Sequence, residues 1–75
     1  MSVEEVVARV FHLDVSEVTD QASTETLAQW DSMGHLSLIT GLEEEFKVSF
    51  AIVDAMEMSS VQRIKRILMD YGVAT

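Results

Sequence analysis

One serine stands out in this chain for its position and its neighbours. Ser32 follows Asp31 where a polar stretch gives way to an apolar run with helical spacing. A nucleophilic serine needs a base that a third group holds in place, and the chain has only two histidines, His12 and His35. His35 lies three residues after Ser32, so the two share one helix face, but the sequence offers neither an oxyanion hole nor a water-excluding pocket. We therefore infer that Ser32 is a substrate modified by another protein, and that the chain is not an enzyme.

The composition narrows the class of function. Thirteen acidic and five basic residues give a formal net charge of −8. Such a chain repels nucleic acid and anionic membranes and is steered toward basic protein surfaces. Its apolar share of 48% is too high for a disordered acidic tail. We expect one folded domain over residues 1–75, monomeric, that binds no nucleic acid.

The chain contains no cysteine, so packing must stabilise it in place of disulfides or a Cys-ligated metal. No spacing of His, Asp or Glu indicates a metal site. Residues 1–5 are acidic and lack a continuous apolar stretch, and no run is long enough to span a bilayer. We expect a cytoplasmic protein without a signal peptide or membrane insertion.

The first third of the chain predicts one helix and a long connection. Ser2 and Glu5 have capping-box spacing, which predicts a helix start. The apolar residues that follow form one helical stripe: Val3, Val6, Val7, Val10 and Leu13. Residues 14–29 show no sustained period, so we expect a long loop that Val18 and Leu27 anchor to the core.

The rest of the chain predicts three more helices. Ser32 can cap the second helix, whose expected buried face is Leu36, Leu38, Ile39, Leu42 and Phe46. Residues 50–56 predict a short third helix. Ser59 and Gln62 predict the start of a fourth, and Gly72 its end. The expected stripe of that helix is Val61, Ile64, Leu68 and Tyr71. The fold class is therefore all-α, a small four-helix bundle with three main helices and one short one.

Taken together, these features resemble the acyl carrier protein family. The likeness rests on Trp-Asp-Ser-Met at residues 30–33 and on Leu-Glu-Glu-Glu-Phe at residues 42–46. It extends over the whole chain in length, acidity, helix order and long first loop. The resemblance implies that a phosphopantetheinyl transferase attaches 4′-phosphopantetheine from coenzyme A to Ser32. It also implies that the thiol of this arm carries acyl groups as thioesters between partner enzymes.

The resemblance further implies roles for the neighbours of Ser32. Asp31 and Met33 flank the attached cofactor, and Asp31 helps to orient the transferase and its metal. Acyl-loading and acyl-processing enzymes with basic docking surfaces would recognise Asp31, Met33, Thr40, Glu43, Glu44, Met56 and Glu57. An acyl chain would rest between the helices, in a space lined by Leu42, Phe46, Phe50, Met56, Val61, Ile64 and Leu68. Such a pocket opens by side-chain rearrangement, because a small bundle is closely packed.

Several alternatives stay open at this point. The N-cap preferences of Asp and Ser alone would make Asp31 and Ser32 no more than capping residues. Trp30, Gly34 and Ser37 depart from the carriers of fatty acid biosynthesis, which favours a specialised lipid or secondary-metabolite pathway. The same departures would suit an unmodified, carrier-like interaction module. An aminoacyl or peptidyl carrier is the other alternative to an acyl carrier.

Several residues also carry expectations about where they lie in the fold. Glu44 should be the most exposed of the three consecutive glutamates, and Glu43 should border the core. Gly34 could clear space for the arm or for a partner's loop, and Gly41 could permit close helix approach. His35 is expected to be a partly exposed helix residue or to contact the phosphodiester. The five methionines are expected mostly to fill the core.

Overall fold

Four α-helices form the fold, with a single 3₁₀ turn in the first connection. The computed structural model describes residues 2–73, so residues 1, 74 and 75 of the predicted domain lie outside the described part. The helices are α1 (Val3–Phe11), α2 (Ser32–Phe46), α3 (Ile52–Glu57) and α4 (Val61–Asp70), and the 3₁₀ turn is Val15–Glu17. The predicted all-α architecture, with three main helices, one short helix and a long first loop, is confirmed. No helix within residues 2–73 is long and apolar enough to cross a membrane.

α1 begins at the predicted capping box. Ser2 Oγ accepts a hydrogen bond from Glu5 N at 3.2 Å, and Glu5 Oε1 accepts one from Ser2 N at 2.9 Å. The bond from Ser2 N, and then the Ser2 side chain, lower the pKa of Glu5, since they favour the carboxylate. The helix ends at Phe11 because His12 turns left-handed, with φ of 59°. Leu13 therefore lies beyond the helix, packed against the core from outside it.

The cap of α2 differs from the prediction. Asp31, not Ser32, is the N-cap, and its Oδ1 accepts from Gly34 N at 2.8 Å. A carboxylate at this position satisfies an unpaired amide and also suits the positive end of the helix dipole. Ser32 is consequently the first residue of the helix. At the other end, Lys47 adopts a left-handed conformation and terminates α2.

The start of α4 is one residue later than predicted. Ser60 is the N-cap, with Oγ accepting from Arg63 N at 3.1 Å, so the expected pairing of Ser59 with Gln62 was wrong. A contact with the first loop explains why Ser60, and not Ser59, is the N-cap. Ser60 forms an isolated antiparallel bridge with Ser23, which holds it in an extended conformation just before the helix. Gly72 follows the end of α4 with φ of 80°, as predicted.

The long first loop is fastened to α1 and α4 by Lys65. Its Nζ lies 2.6 Å from Glu4 Oε2 on α1 and 2.7 Å from Asp20 Oδ1 in the loop. Asp20 and then Glu4 raise the pKa of Lys65, because both favour the charged amine. The loop anchor Val18 is buried as predicted, and Leu27 is partly buried against the core.

The core lies between α1, α2 and α4, and α3 contributes no buried side chain. The largest fully buried side chains are Trp30, Leu38, Leu42, Met58, Ile64, Leu68, Val3, Val6, Val7 and Val61. Leu36 was expected in the buried face of α2 but is 66% exposed. Met58 is the one buried methionine within residues 2–73, so the expectation that methionines mostly fill the core was wrong.

The two glycines of α2 admit close neighbours. A Cβ at Gly41 would lie 3.2 Å from a methyl carbon of Val10, so Gly41 lets α1 and α2 approach, as expected. A Cβ at Gly34 would overlap the carbonyl oxygen of Gln29 and lie 3.0 Å from the ring of Phe11. Gly34 therefore makes room for the first loop and α1, and the expectation that it clears space for the arm was wrong.

Candidate functional site

Ser32 is exposed at the first position of α2, where the helix offers free amides. Asp31 occupies the next two donors: its side chain accepts from Gly34 N, and its carbonyl accepts from His35 N at 2.8 Å. The amides of Ser32 and Met33 have no acceptor among residues 2–73. Unpaired amides at the positive end of a helix dipole bind phosphate oxygens. The donor set around Ser32 thus fits a phosphodiester on its hydroxyl.

An open cleft of about 580 Å³ begins at Ser32. The end of the first loop, the first turns of α2 and the end of α3 enclose it. Its remaining lining is Thr24, Trp30, Asp31, His35, Leu36, Met56 and Ser59. The cleft therefore combines exposed apolar side chains with two hydroxyl groups, directly beside the serine.

His35 joins the three walls of this cleft. Its Nδ1 accepts from Trp30 Nε1 at 3.0 Å, and its Nε2 lies 2.7 Å from the carbonyl oxygen of Ala55. An indole N–H can only donate and a carbonyl can only accept, so the ring must be neutral with its proton on Nε2. His35 is partly buried, as expected. Both of its nitrogens are engaged inside the protein, which leaves neither for a phosphodiester.

α3 is held by polar contacts at both of its ends. Before it, Phe50 N donates to Glu43 Oε2 and Ala51 N donates to Tyr71 Oη, both at 2.9 Å. Tyr71 Oη also donates to Asp54 Oδ2 at 2.6 Å, and this bond raises the pKa of Tyr71. At its end, the Ala55 carbonyl receives the bond from His35. The exposed apolar side chains of the helix are Ile52, Val53 and Met56.

The predicted recognition residues are mostly on the surface. Exposed members of the set are Asp31, Met33, Thr40, Glu44, Met56 and Glu57. Glu43 is partly buried and holds the amide of Phe50, which assigns it a contact within the fold. Glu45, also partly buried, lies 3.7 Å from Arg9, so Glu44 is the most exposed of the three glutamates, as expected.

The predicted acyl-pocket residues separate into three groups. The fully buried members are Leu42, Val61, Ile64 and Leu68. Phe46 and Phe50 are partly buried and pack against that core. Met56 is 74% exposed and lines the cleft beside Ser32, because α3 turns it away from the core. The fold therefore brings six of the seven residues together and leaves Met56 apart from them.

Sequence reasoning missed two contributors to the cleft, Thr24 and Ser59. The backbone bond from Thr24 N to Ser59 O at 3.1 Å joins these distant residues, beside a bond from Val61 N to Ala22 O. No local pattern indicates it, because both residues lie outside the helical stripes. Trp30 was named only as a departure from the carriers of fatty acid biosynthesis. A buried indole N–H requires an acceptor, and this requirement could have indicated the contact with His35.

Comparison with known proteins agrees with this geometry. Residues 2–68 match the family described as "Phosphopantetheine attachment site". Among solved structures, the solution structure of a holo acyl carrier protein from Geobacter metallireducens matches with a TM-score of 0.73 at 23% sequence identity. The match covers 97% of this chain and 90% of that chain, and at this identity it establishes the fold. Because the family match spans nearly the whole chain and includes Ser32, the chain belongs to the phosphopantetheine-binding carriers: it is a non-catalytic carrier whose prosthetic group is 4′-phosphopantetheine.

Proposed function

We propose that the chain is an acyl carrier, modified on Ser32, that serves a lipid or secondary-metabolite pathway in the cytoplasm. The observation that carries the proposal is the exposed Ser32 hydroxyl beside two free helix amides, within a chain of the phosphopantetheine-binding family. The thiol of the attached arm supplies the chemistry, since it forms thioesters with acyl groups.

The modification reaction assigns a definite part to Ser32. Its Oγ forms a bond to the phosphorus of coenzyme A that bears pantetheine. The bond from that phosphorus to adenosine 3′,5′-bisphosphate breaks, and the hydroxyl proton passes to a base of the transferase. The amides of Ser32 and Met33 then face the new phosphodiester anion, which a helix N-terminus favours.

Mass spectrometry tests the attachment. Incubation with coenzyme A and a broad-specificity phosphopantetheinyl transferase should add the mass of one arm. Ser32→Ala should abolish the gain. Ser37→Ala is the matched control, because Ser37 is also exposed on α2 and should leave the gain intact. An unmodified wild-type chain, under conditions that load a known carrier, would refute the proposal.

We propose that partner enzymes with a basic docking surface bind beside Ser32, where this chain presents an apolar centre with an acidic rim. Met33 and Met56 are exposed there, and the exposed acids around them are Asp31, Glu44 and Glu57. Opposite charges steer association and make its rate sensitive to salt. Glu44→Lys should therefore slow loading by the transferase, whereas Glu25→Lys, an exposed change in the first loop, should affect it less.

The chemical identity of the cargo distinguishes an acyl carrier from the alternative, an aminoacyl or peptidyl carrier. The large apolar core supports an acyl group, since six of the predicted pocket residues lie in it or against it. Intact-mass measurement of the carrier from its native cells should show the arm plus an acyl mass. The arm plus an amino-acid mass would establish the runner-up instead.

A further inference from the structure

The cleft beside Ser32 has binding capacity that the attachment reaction does not use. Leu36 and Met56 are exposed on its walls although both are large and apolar. The hydroxyls of Thr24 and Ser59 form no hydrogen bond within residues 2–73, apart from any to solvent. The backbone bond between these two residues keeps the hydroxyl-bearing positions together. Apolar walls with a pair of free hydroxyls suit a ligand that has both methyl groups and polar groups.

We propose that this cleft holds the pantoyl segment of the arm, the part that follows the phosphodiester directly. This rests on the proposed function, since it requires the arm on Ser32. The pantoyl segment carries two geminal methyl groups, a hydroxyl and an amide, which are the two kinds of group that the cleft can bind. Ser32 itself lines the cleft, so the segment bonded next to its phosphate lies nearest to these walls.

The cleft is preorganised for such a segment. Its three walls belong to the first loop, α2 and α3, and Trp30, His35 and Ala55 connect them through two hydrogen bonds. A site whose walls are already fixed binds a flexible ligand with less ordering cost. His35 is therefore a positioning residue, because its nitrogens hold the three walls together. The hydroxyls of Thr24 and Ser59 are the groups that hydrogen-bond the arm.

Nuclear Overhauser contacts in the loaded chain, with no cargo on the thiol, test the proposal directly. The geminal methyl protons of the arm should show contacts to the ε-methyl of Met56 and the δ-methyls of Leu36. Met33 is the internal control, because it is 76% exposed and adjacent to Ser32 in sequence but lines no part of the cleft. Contacts to Met33 alone, or to none of the three, would overturn the proposal.

A pair of variants separates binding in the cleft from chance proximity. Met56→Gln should remove the contacts from the arm to Leu36, while Met33→Gln should leave them in place. Both residues are mostly exposed, so neither change removes a core side chain. Persistence of the Leu36 contacts in Met56→Gln would count against the proposal. A chain that gains the mass of the arm but shows no contacts in the cleft overturns this inference and leaves the proposed function standing; a chain that gains no mass overturns both.

Discussion

At the scale of single residues, the imidazole of His35 is held by hydrogen bonds at both of its nitrogens. It accepts from a donor-only indole and donates to an acceptor-only carbonyl, so a single neutral tautomer satisfies both partners. Loss of the Nδ1 acceptor would leave the N–H of Trp30 without a partner. The side chain of Trp30 is only 2% exposed, so water is poorly placed to replace the lost acceptor.

Replacing His35 should therefore show which of its properties matters. His35→Leu leaves the buried indole N–H without an acceptor, which costs about 1–3 kcal/mol. His35→Gln should retain most of the stability, because its amide offers an acceptor and a donor close together. Urea unfolding measures the difference, and the indole N–H resonance is unambiguous because the chain has a single tryptophan. Equal stability of His35→Leu and the wild type would show that the bridge contributes nothing.

The two glycines of α2 should respond differently to alanine. Gly34→Ala places a methyl group onto the Gln29 carbonyl, and such overpacking costs about 1–3 kcal/mol. Gly41→Ala meets only a methyl group of Val10 at 3.2 Å, and the gain in helix propensity of about 1 kcal/mol offsets that contact. Thermal unfolding should rank the wild type and Gly41→Ala close together, with Gly34→Ala well below both. The reverse order would contradict the inward placement of Gly34.

At the scale of elements, the sequence predicts that the helices exist better than it predicts where they begin. Apolar patterns located all four, but the predicted N-caps were wrong by one residue at two helices: Asp31 caps α2 in place of Ser32, and Ser60 caps α4 in place of Ser59. A contact with the first loop places Ser60 as the cap of α4, since Ser60 pairs with Ser23. Apolar residues 50–56 predicted a third helix, yet nothing local indicated that its apolar side chains face outward. Its tethers come from Glu43, Tyr71 and His35, which are remote in sequence.

The hydrogen bond from Tyr71 to Asp54 in α3 should be lost at high pH. The pKa of Tyr71 is raised chiefly because its O–H donates to Asp54. The bond from Tyr71 to Asp54 is thus complete below the ordinary tyrosine pKa of about 10 and is lost as the pH rises through the higher folded value, whereas the phenolate still accepts from Ala51 N. Phenolate absorbance reports this group alone, since Tyr71 is the single tyrosine. Asp54→Ala should lower the titration midpoint, and an unchanged midpoint would show that Asp54 does not cause the shift.

At the scale of the whole molecule, six of the seven predicted pocket residues lie in the core or pack against it. Leu42, Val61, Ile64 and Leu68 are fully buried, so an acyl chain must displace packed side chains to enter. The sequence could indicate these residues because helical stripes converge in a bundle. It could not indicate the cleft at Ser32, which depends on how the first loop crosses the end of α3.

A medium-chain acyl group that enters the core should stabilise the whole fold, because it binds the native state and not the unfolded one. Each 1 kcal/mol of such binding should raise the melting temperature by about 4–8 °C in a domain of this size. Melting curves of the acyl form and of the arm-only form measure the effect. Methyl shifts at Leu42, Ile64 and Leu68 should accompany it. Identical melting, with shifts confined to residues 32–36, would mean that the cargo stays outside the core.

The attachment of α3 has a consequence for how the molecule loosens. Hydrogen bonds at its two ends hold this helix, and no side chain of it is buried. Its release exposes little new apolar surface, so we expect a minor, locally opened state in which α1, α2 and α4 remain folded, while the closed cleft is the ground state. We therefore expect the amides of α3 to exchange with solvent through this local opening, at a lower free energy than the global unfolding that the core governs. A partner that binds Ile52 or Met56 would shift this local opening of α3 and leave the core of α1, α2 and α4 in place.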